Sequence, residues 1–284
     1  MATEFVLKSM RGAAAAVGIA VTAAIPFASG AQASDPWPAE VQAAYKIHFN
    51  GLEIGQFAFN SSVHDRTYAI TANADISALL GIVRWNGVTR VSGALTGNAP
   101  RPTGFSFDFR GSSKTGSIRM GFVNGGIKTV DHTPPLVEPP GTVPLQPAHM
   151  RGVLDPLSAI LAVSRPRDGN PCNQRLPVFD GKVRFDLTFI HKEDVPLAEA
   201  QRGATPEMLR VCRVRVQLIA GHVEDEAAAE LKRSTGIEVA FRSIPGAKLF
   251  VPHRIKVPTF AGSAVLTSQS VHIRTQSEQI ALVN

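Results

Sequence analysis

The sequence lacks the short motifs that mark most enzyme classes. There is no G-x-S-x-G nucleophile elbow, no G-x-G-x-x-G, no phosphate-binding loop and no H-E-x-x-H. Neither Cys-x-x-Cys nor His-x-x-x-His spacing occurs, so no zinc site is indicated, and no metal or other cofactor is implied. The eight His are scattered, at 48, 64, 132, 149, 191, 222, 253 and 272. His64-Asp65 and Asp131-His132 are adjacent pairs, but neighbours along a strand face opposite ways, which argues against a shared site. No block of Lys/Arg alternates with aromatic residues, so the nucleic-acid signature is absent. Nor is there a repeat of fixed period, or an apolar run after residue 33 long enough for a transmembrane helix.

What is present begins at the N-terminus. Lys8 and Arg11 precede an Ala-rich apolar run from Gly12 to about Phe27, and Ala31-Gln32-Ala33 supplies small residues where a signal peptidase cuts. Residues 1–33 therefore read as a secretory signal peptide, with the exported protein starting near Ser34. An uncleaved anchor is the alternative, but Pro26 breaks the run near its end. No Cys follows it for lipid anchoring. Cleavage leaves 251 of the 284 residues, enough for one sizeable β domain, 34–284. Lys8, Arg11 and Glu4 leave with the signal, so the formal charge falls from +6 to +5, which favours anionic surfaces.

Both cysteines, Cys172 and Cys212, lie in this exported part, where the compartment is oxidising and a disulfide is the expected state.

Most of the chain reads as β structure. Tyr45, Ile47 and Phe49 alternate with polar residues up to Asn50-Gly51, a hairpin signal. Phe57 and Phe59 carry the next strand, and Tyr68, Ile70, Ala72 and Ala74 the one after. Val88–Leu95 is another candidate. Phe105, Phe107 and Phe109 form the clearest period-two run of this half, and Ile118, Met120 and Phe122 repeat it. Ile76 to Val83 (ISALLGIV) is short and apolar, and is expected as a helical turn or short helix capping one end of the sheet, or as a buried strand. Six prolines from Pro134 to Pro147 make that segment extended and unpaired, either a crossover between two halves of the sheet or a flexible interdomain linker. Asp155 followed by Pro156 starts a short helix that carries Leu157, Ile160 and Leu161 on one face. Strands resume with Val178-Phe179 and Asp180-Gly181, read as a type I′ turn, and then Val183, Phe185, Leu187 and Phe189. Cys212, Val214, Val216 and Leu218 alternate similarly. Asp225–Arg233 is a helix with acidic start and basic end. Ile237–Phe241, Leu249–Val257 and Ala264–Ile273 complete the strands.

Two sets of side chains are candidates for a binding site. Lys182 and Arg184, Arg213 and Arg215, and Arg254 and Lys256 each sit opposite the apolar side of their strand. On neighbouring strands they would form a basic stripe for an anionic headgroup, a peptidoglycan carboxylate or an acidic partner, against the plainer alternative of a solvated face. Phe57, Phe59, Phe105, Phe107, Phe109, Phe185 and Phe189 would line the concave side of a curved sheet, in part as core filling and in part against an apolar ligand.

A resemblance rests on the order of several short stretches. These are Tyr45-x-Ile47 with Gly51-Leu52-Glu53-Ile54-Gly55, Val153-Leu154-Asp155-Pro156-Leu157-Ser158-Ala159, and Val178 to Leu187. Cys212-Arg213-Val214 and Ala220-Gly221-His222 follow. Together they resemble the bacterial domain-of-unknown-function family numbered 3108, found in Gram-negative envelope proteins, over most of residues 40–275. Gly221-His222 stands where that family usually has Gly-Tyr. The resemblance implies an exported β-rich protein and supplies no catalytic residues.

The expectation is thus a mainly β protein, a single antiparallel curved sheet forming an open barrel or spiral, with a few short helices. The expected function is that of a non-enzymatic periplasmic protein that binds an envelope lipid, a glycan such as peptidoglycan, or an envelope polypeptide. The rivals are an envelope-acting hydrolase, which needs a cleft with convergent His, Asp or Ser, and a purely structural scaffold.

Overall fold

The computed structural model describes residues 37–78, 81–197, 206–233, 236–259 and 261–283; the expected signal peptide lies outside them. Among the described residues, fourteen strands join one antiparallel sheet. The first seven are a meander: β1 (Glu40–Phe49), β2 (Leu52–His64), β3 (Thr67–Ala78), β4 (Val83–Thr96), β5 (Ala99–Gly111), β6 (Thr115–Val123) and β7 (Gly126–Thr133). The second meander runs through β8 (Asn173–Phe179), β9 (Arg184–Pro196), β10 (Met208–Ala220), β11 (Glu238–Ile244), β12 (Leu249–Thr259) and β13 (Gly262–Arg274). The two are joined where β1 pairs with β13. A final strand, β14 (Gln279–Val283), adds to β13. Two helices, α1 (Pro156–Ser164) and α2 (Glu226–Arg233), complete the elements the site needs.

The sheet curves but does not close, with β7 and β8 at the two ends of the strand path. The chain between those ends, from residue 134 to 172, carries α1. Within it, Arg151–Leu154 ties both ends together. Gly152 N–H donates to the Gly125 carbonyl beside β7, and Leu154 N–H donates to the Pro177 carbonyl in β8. Phe179 N–H returns a bond to the Leu154 carbonyl.

Local chemistry sets these elements. On β1, Ala43, Tyr45 and Ile47 are buried and alternate with less buried neighbours, as period-two patterning requires. Asn50 and Gly51 both hold positive φ, at 49° and 85°, the conformation of a tight turn matched to strand twist. Asp155 caps α1, its carboxylate accepting from the N–H groups of Leu157 and Ser158 at 3.0 and 2.9 Å, and Pro156 opens the helix. At the other end of the sheet, Phe107 and Phe109 stack at 5.4 Å, with Trp85 6.2 Å from Phe107. The rings lie over glycines: a Cβ at Gly87 or Gly116 would meet Phe107 or Phe109 at 2.9 and 2.7 Å.

Three expectations are corrected. ISALLGIV is not a buried strand: Ile76–Ala78 finish β3, Gly81 is in a 3-10 helical turn, Ile82 turns and Val83 starts β4, with Ile82 and Val83 exposed, while Leu79 and Leu80 lie outside the described residues. Over eight apolar residues, pairing with β2 and β4 decides the conformation, and periodicity does not. Asp180-Gly181 is not a type I′ turn, because only Gly181 has positive φ. Instead the Asp180 carboxylate accepts from Lys182 and Val183 N–H at 2.8 and 2.7 Å, closing a side-chain-bonded turn. The third is β14, which sequence analysis passed over because its five residues are too few for a clear alternation.

Candidate functional site

The site begins with a proline. Pro252 lies inside β12 and has no N–H to donate. β12 pairs with β11 from Leu249 to Lys256, but pairing with β13 starts only at Arg254. The other half of β13, Ser270–Arg274, takes β14 as its partner. The sheet therefore splits beside Pro252. Tyr45, from β1, satisfies the stranded Pro252 carbonyl by donating its hydroxyl at 2.9 Å.

A cavity of about 80 Å³ occupies this split, under α1. Its floor is Val41, Ala43 and Tyr45 of β1 with Phe57 and Phe59 of β2. Leu249, Val251, Pro252 and Ile255 of β12 and Leu266 of β13 form one side. Ile160, Leu161 and Ser164 of α1 roof it, and Trp37 and Pro38 stand at its edge. A water-sized group needs roughly 10–15 Å³ by this measure, so the space takes a short stretch of alkyl chain. The walls are almost wholly apolar. Their hydroxyls are those of Ser61, Ser164 and Tyr45, with no His, Asp or Glu among the described lining residues. Burial raises the Tyr45 hydroxyl well above the ordinary tyrosine range, so it stays a neutral donor.

α1 is held in place by polar groups beneath it. Tyr68 of β3 and Ser158 of α1 share a buried hydrogen bond of 2.7 Å between hydroxyls. Asp155 and Ser158 are fully buried. Burial pushes the Asp155 carboxyl up, against the lowering effect of hydrogen bonds from Ser158 and from backbone N–H groups. Beyond the helix, Cys172 and Cys212 form a disulfide, which pins the loop after α1 to β10. Arg165, just past α1, places its guanidinium 5.0 Å from the Trp37 ring centre, and Trp37 Nε1–H donates to the Gly97 carbonyl at 3.3 Å.

Of the seven candidate rings, Phe57 and Phe59 line the cavity. Phe105 is packed in the core around α1, and Phe107 and Phe109 sit farther along β5 with Trp85. Phe185 and Phe189 pack around the disulfide, Phe189 against Phe241 at 6.4 Å. The basic residues lie elsewhere on the sheet. Arg213, Glu238 and Lys256 share one row across β10, β11 and β12, so a carboxylate stands between the two cations. Arg215 and Arg254 are exposed nearby, and Lys182 is part-buried in the turn before β9. Arg184 is turned onto the buried Asp186 at 2.6 Å. Trp37 and Pro252 were not among the sequence-predicted site residues, and Ile160 and Leu161 were expected only as the packing face of a helix. Pro252 was the available signal, a proline within an otherwise continuous strand run. Among the adjacent pairs, His64 Nε2 and an Asp65 carboxylate oxygen lie 3.0 Å apart, both exposed beside a turn. Among the described residues no group of three or more His, Cys, Asp or Glu is placed to hold a metal ion, and no helix is long and apolar enough to cross a membrane.

The fold has a solved counterpart. The crystal structure of a beta-barrel-like protein of domain of unknown function DUF1849 from Brucella abortus superposes with a TM-score of 0.52 and 8% identity, covering 84% of this chain and 98% of that one. At that identity the likeness is one of fold. No curated protein matches the chain. The family model for proteins of unknown function numbered DUF3108 matches residues 44–269, which span the split sheet, α1 and the disulfide, and the chain belongs to that family.

Proposed function

We propose that this is an exported, non-enzymatic envelope protein that holds the apolar chain of an envelope lipid in the cavity under α1. The observation that carries the reading is the cavity's lining: aliphatic and aromatic walls at a break in the sheet, built from β1, β2, β12, β13 and α1. An apolar space of this kind stays dry and takes an apolar guest. The signal-like N-terminus and the disulfide support an oxidising compartment outside the cytoplasm, the periplasm. A hydrolase would need a nucleophile with a base beside it. The Tyr45 hydroxyl is instead committed to Pro252, and no base lies among the described lining residues.

The test is mass spectrometry of lipid retained by protein purified from periplasm, alongside an Ala43→Leu variant. Ala43 sits on the cavity floor, so the added carbons enter empty space, and the cost should lie at the low end of the roughly 1–3 kcal/mol of a small-to-large change. Retained lipid should fall several-fold in the variant. Equal retention by both proteins, or none by the wild type, would count against the reading.

A further inference from the structure

Back to back with the apolar cavity lies a second, larger and more open space of about 440 Å³, and its lining has the opposite chemistry. Arg101 comes from β5, Arg165 and Arg167 from the chain just after α1, and Arg175 from β8, with Asp168 as the carboxylate among the lining residues. Asp168 is already engaged, accepting from the Asn170 N–H at 3.1 Å and the Asn173 amide at 2.7 Å. Arg175 is turned to Asp186 at 2.5 Å. Arg101 and Arg167 are exposed and have no carboxylate partner among the described residues. Gln174 and Asn173 of β8 join the polar part of the lining.

The two spaces adjoin at the Trp37–Arg165 contact. Trp37 lines the cavity, Arg165 lines the cleft, and Ser164 and Arg165 are consecutive residues facing the one and the other. We infer that the two spaces form one amphiphile site, in which the arginine-lined cleft takes the phosphate-bearing headgroup of the molecule whose chain enters the cavity. The inference rests on the chain-binding function proposed above. Guanidinium forks match phosphate oxygens in pairs. The row formed by Arg213, Glu238 and Lys256 suits a phosphate less well, because its central member is an anion.

The test uses decyl phosphate, decanol and inorganic phosphate, titrated calorimetrically into the disulfide-bonded protein and into an Arg101→Ser/Arg167→Ser variant. Both substitutions are on exposed side chains, so folding is expected to survive. Decyl phosphate should bind wild type roughly tenfold or more tighter than decanol. The variant should lose that preference while its affinity for decanol is unchanged. Equal affinity of wild type for the two amphiphiles, or an undiminished preference in the variant, would overturn the headgroup site and leave the chain site standing. Binding of neither amphiphile would overturn both. Inorganic phosphate binding as tightly as decyl phosphate would show a free-anion site and overturn the linked one.

Discussion

Replacing Cys172 and Cys212 together by alanine is expected to lower the unfolding free energy by about 4 kcal/mol. The bridge closes a 40-residue loop, and in the chain-entropy model that constraint on the unfolded chain has this magnitude. The loop contains β8, the Asp180 turn and β9, so its loss also frees the end of the sheet that carries Phe185 and Phe189. For a chain of this size the melting temperature should drop on the order of 10 °C. Chemical unfolding of the oxidised protein and the double variant gives the comparison. A difference below about 1 kcal/mol would mean that the packing around Cys172 and Cys212, both buried, supplies the constraint unaided.

The second large effect is expected at Asp155. Its alanine variant leaves the N–H groups of Leu157 and Ser158 without their acceptor in a buried place. A lost N-cap costs up to about 2 kcal/mol, and stranded buried donors add to it, so the sum should be about 3 kcal/mol. Asp155→Asn keeps an acceptor oxygen and isolates the charge. The carboxyl is raised in the folded state, chiefly by burial. Above its ordinary pKa of about 4 the folded protein therefore holds more proton than the unfolded chain, and stability falls as pH rises towards the folded value. The stability difference should move in favour of the asparagine variant as pH is raised from about 4. A difference that stays constant with pH would mean that Asp155 titrates alike in both states.

Much of the fold was legible because burial here follows simple periodicity. Ala43, Tyr45 and Ile47 face the core as their alternation requires, and the Asp155-Pro156 start and the acidic-to-basic run at Glu226–Arg233 gave both helices. The disulfide followed from compartment and count. The site was less legible for a physical reason. Alternation tells which side of a strand a ring is on, but not what lies opposite that side. Phe57 and Phe189 were both expected on the concave side, yet Phe57 meets the gap at Pro252 while Phe189 meets Phe241 and the disulfide cluster. The basic residues show the same limit. Arg213 and Lys256 share a face, but the strand between them contributes Glu238 at that row, which only the register reveals.

The central claim, an alkyl chain seated beneath α1, can be read out at one residue. The protein has two tryptophans, Trp37 at the cavity edge and Trp85 over Phe107. In a Trp85→Phe variant all tryptophan emission comes from Trp37. Titration with a decyl chain brominated along its length should quench that emission saturably, and Ala43→Leu in the same background should weaken the quenching. Quenching that rises linearly with ligand without saturating, as collision alone produces, or that is the same with and without Ala43→Leu, would contradict a chain bound in this cavity.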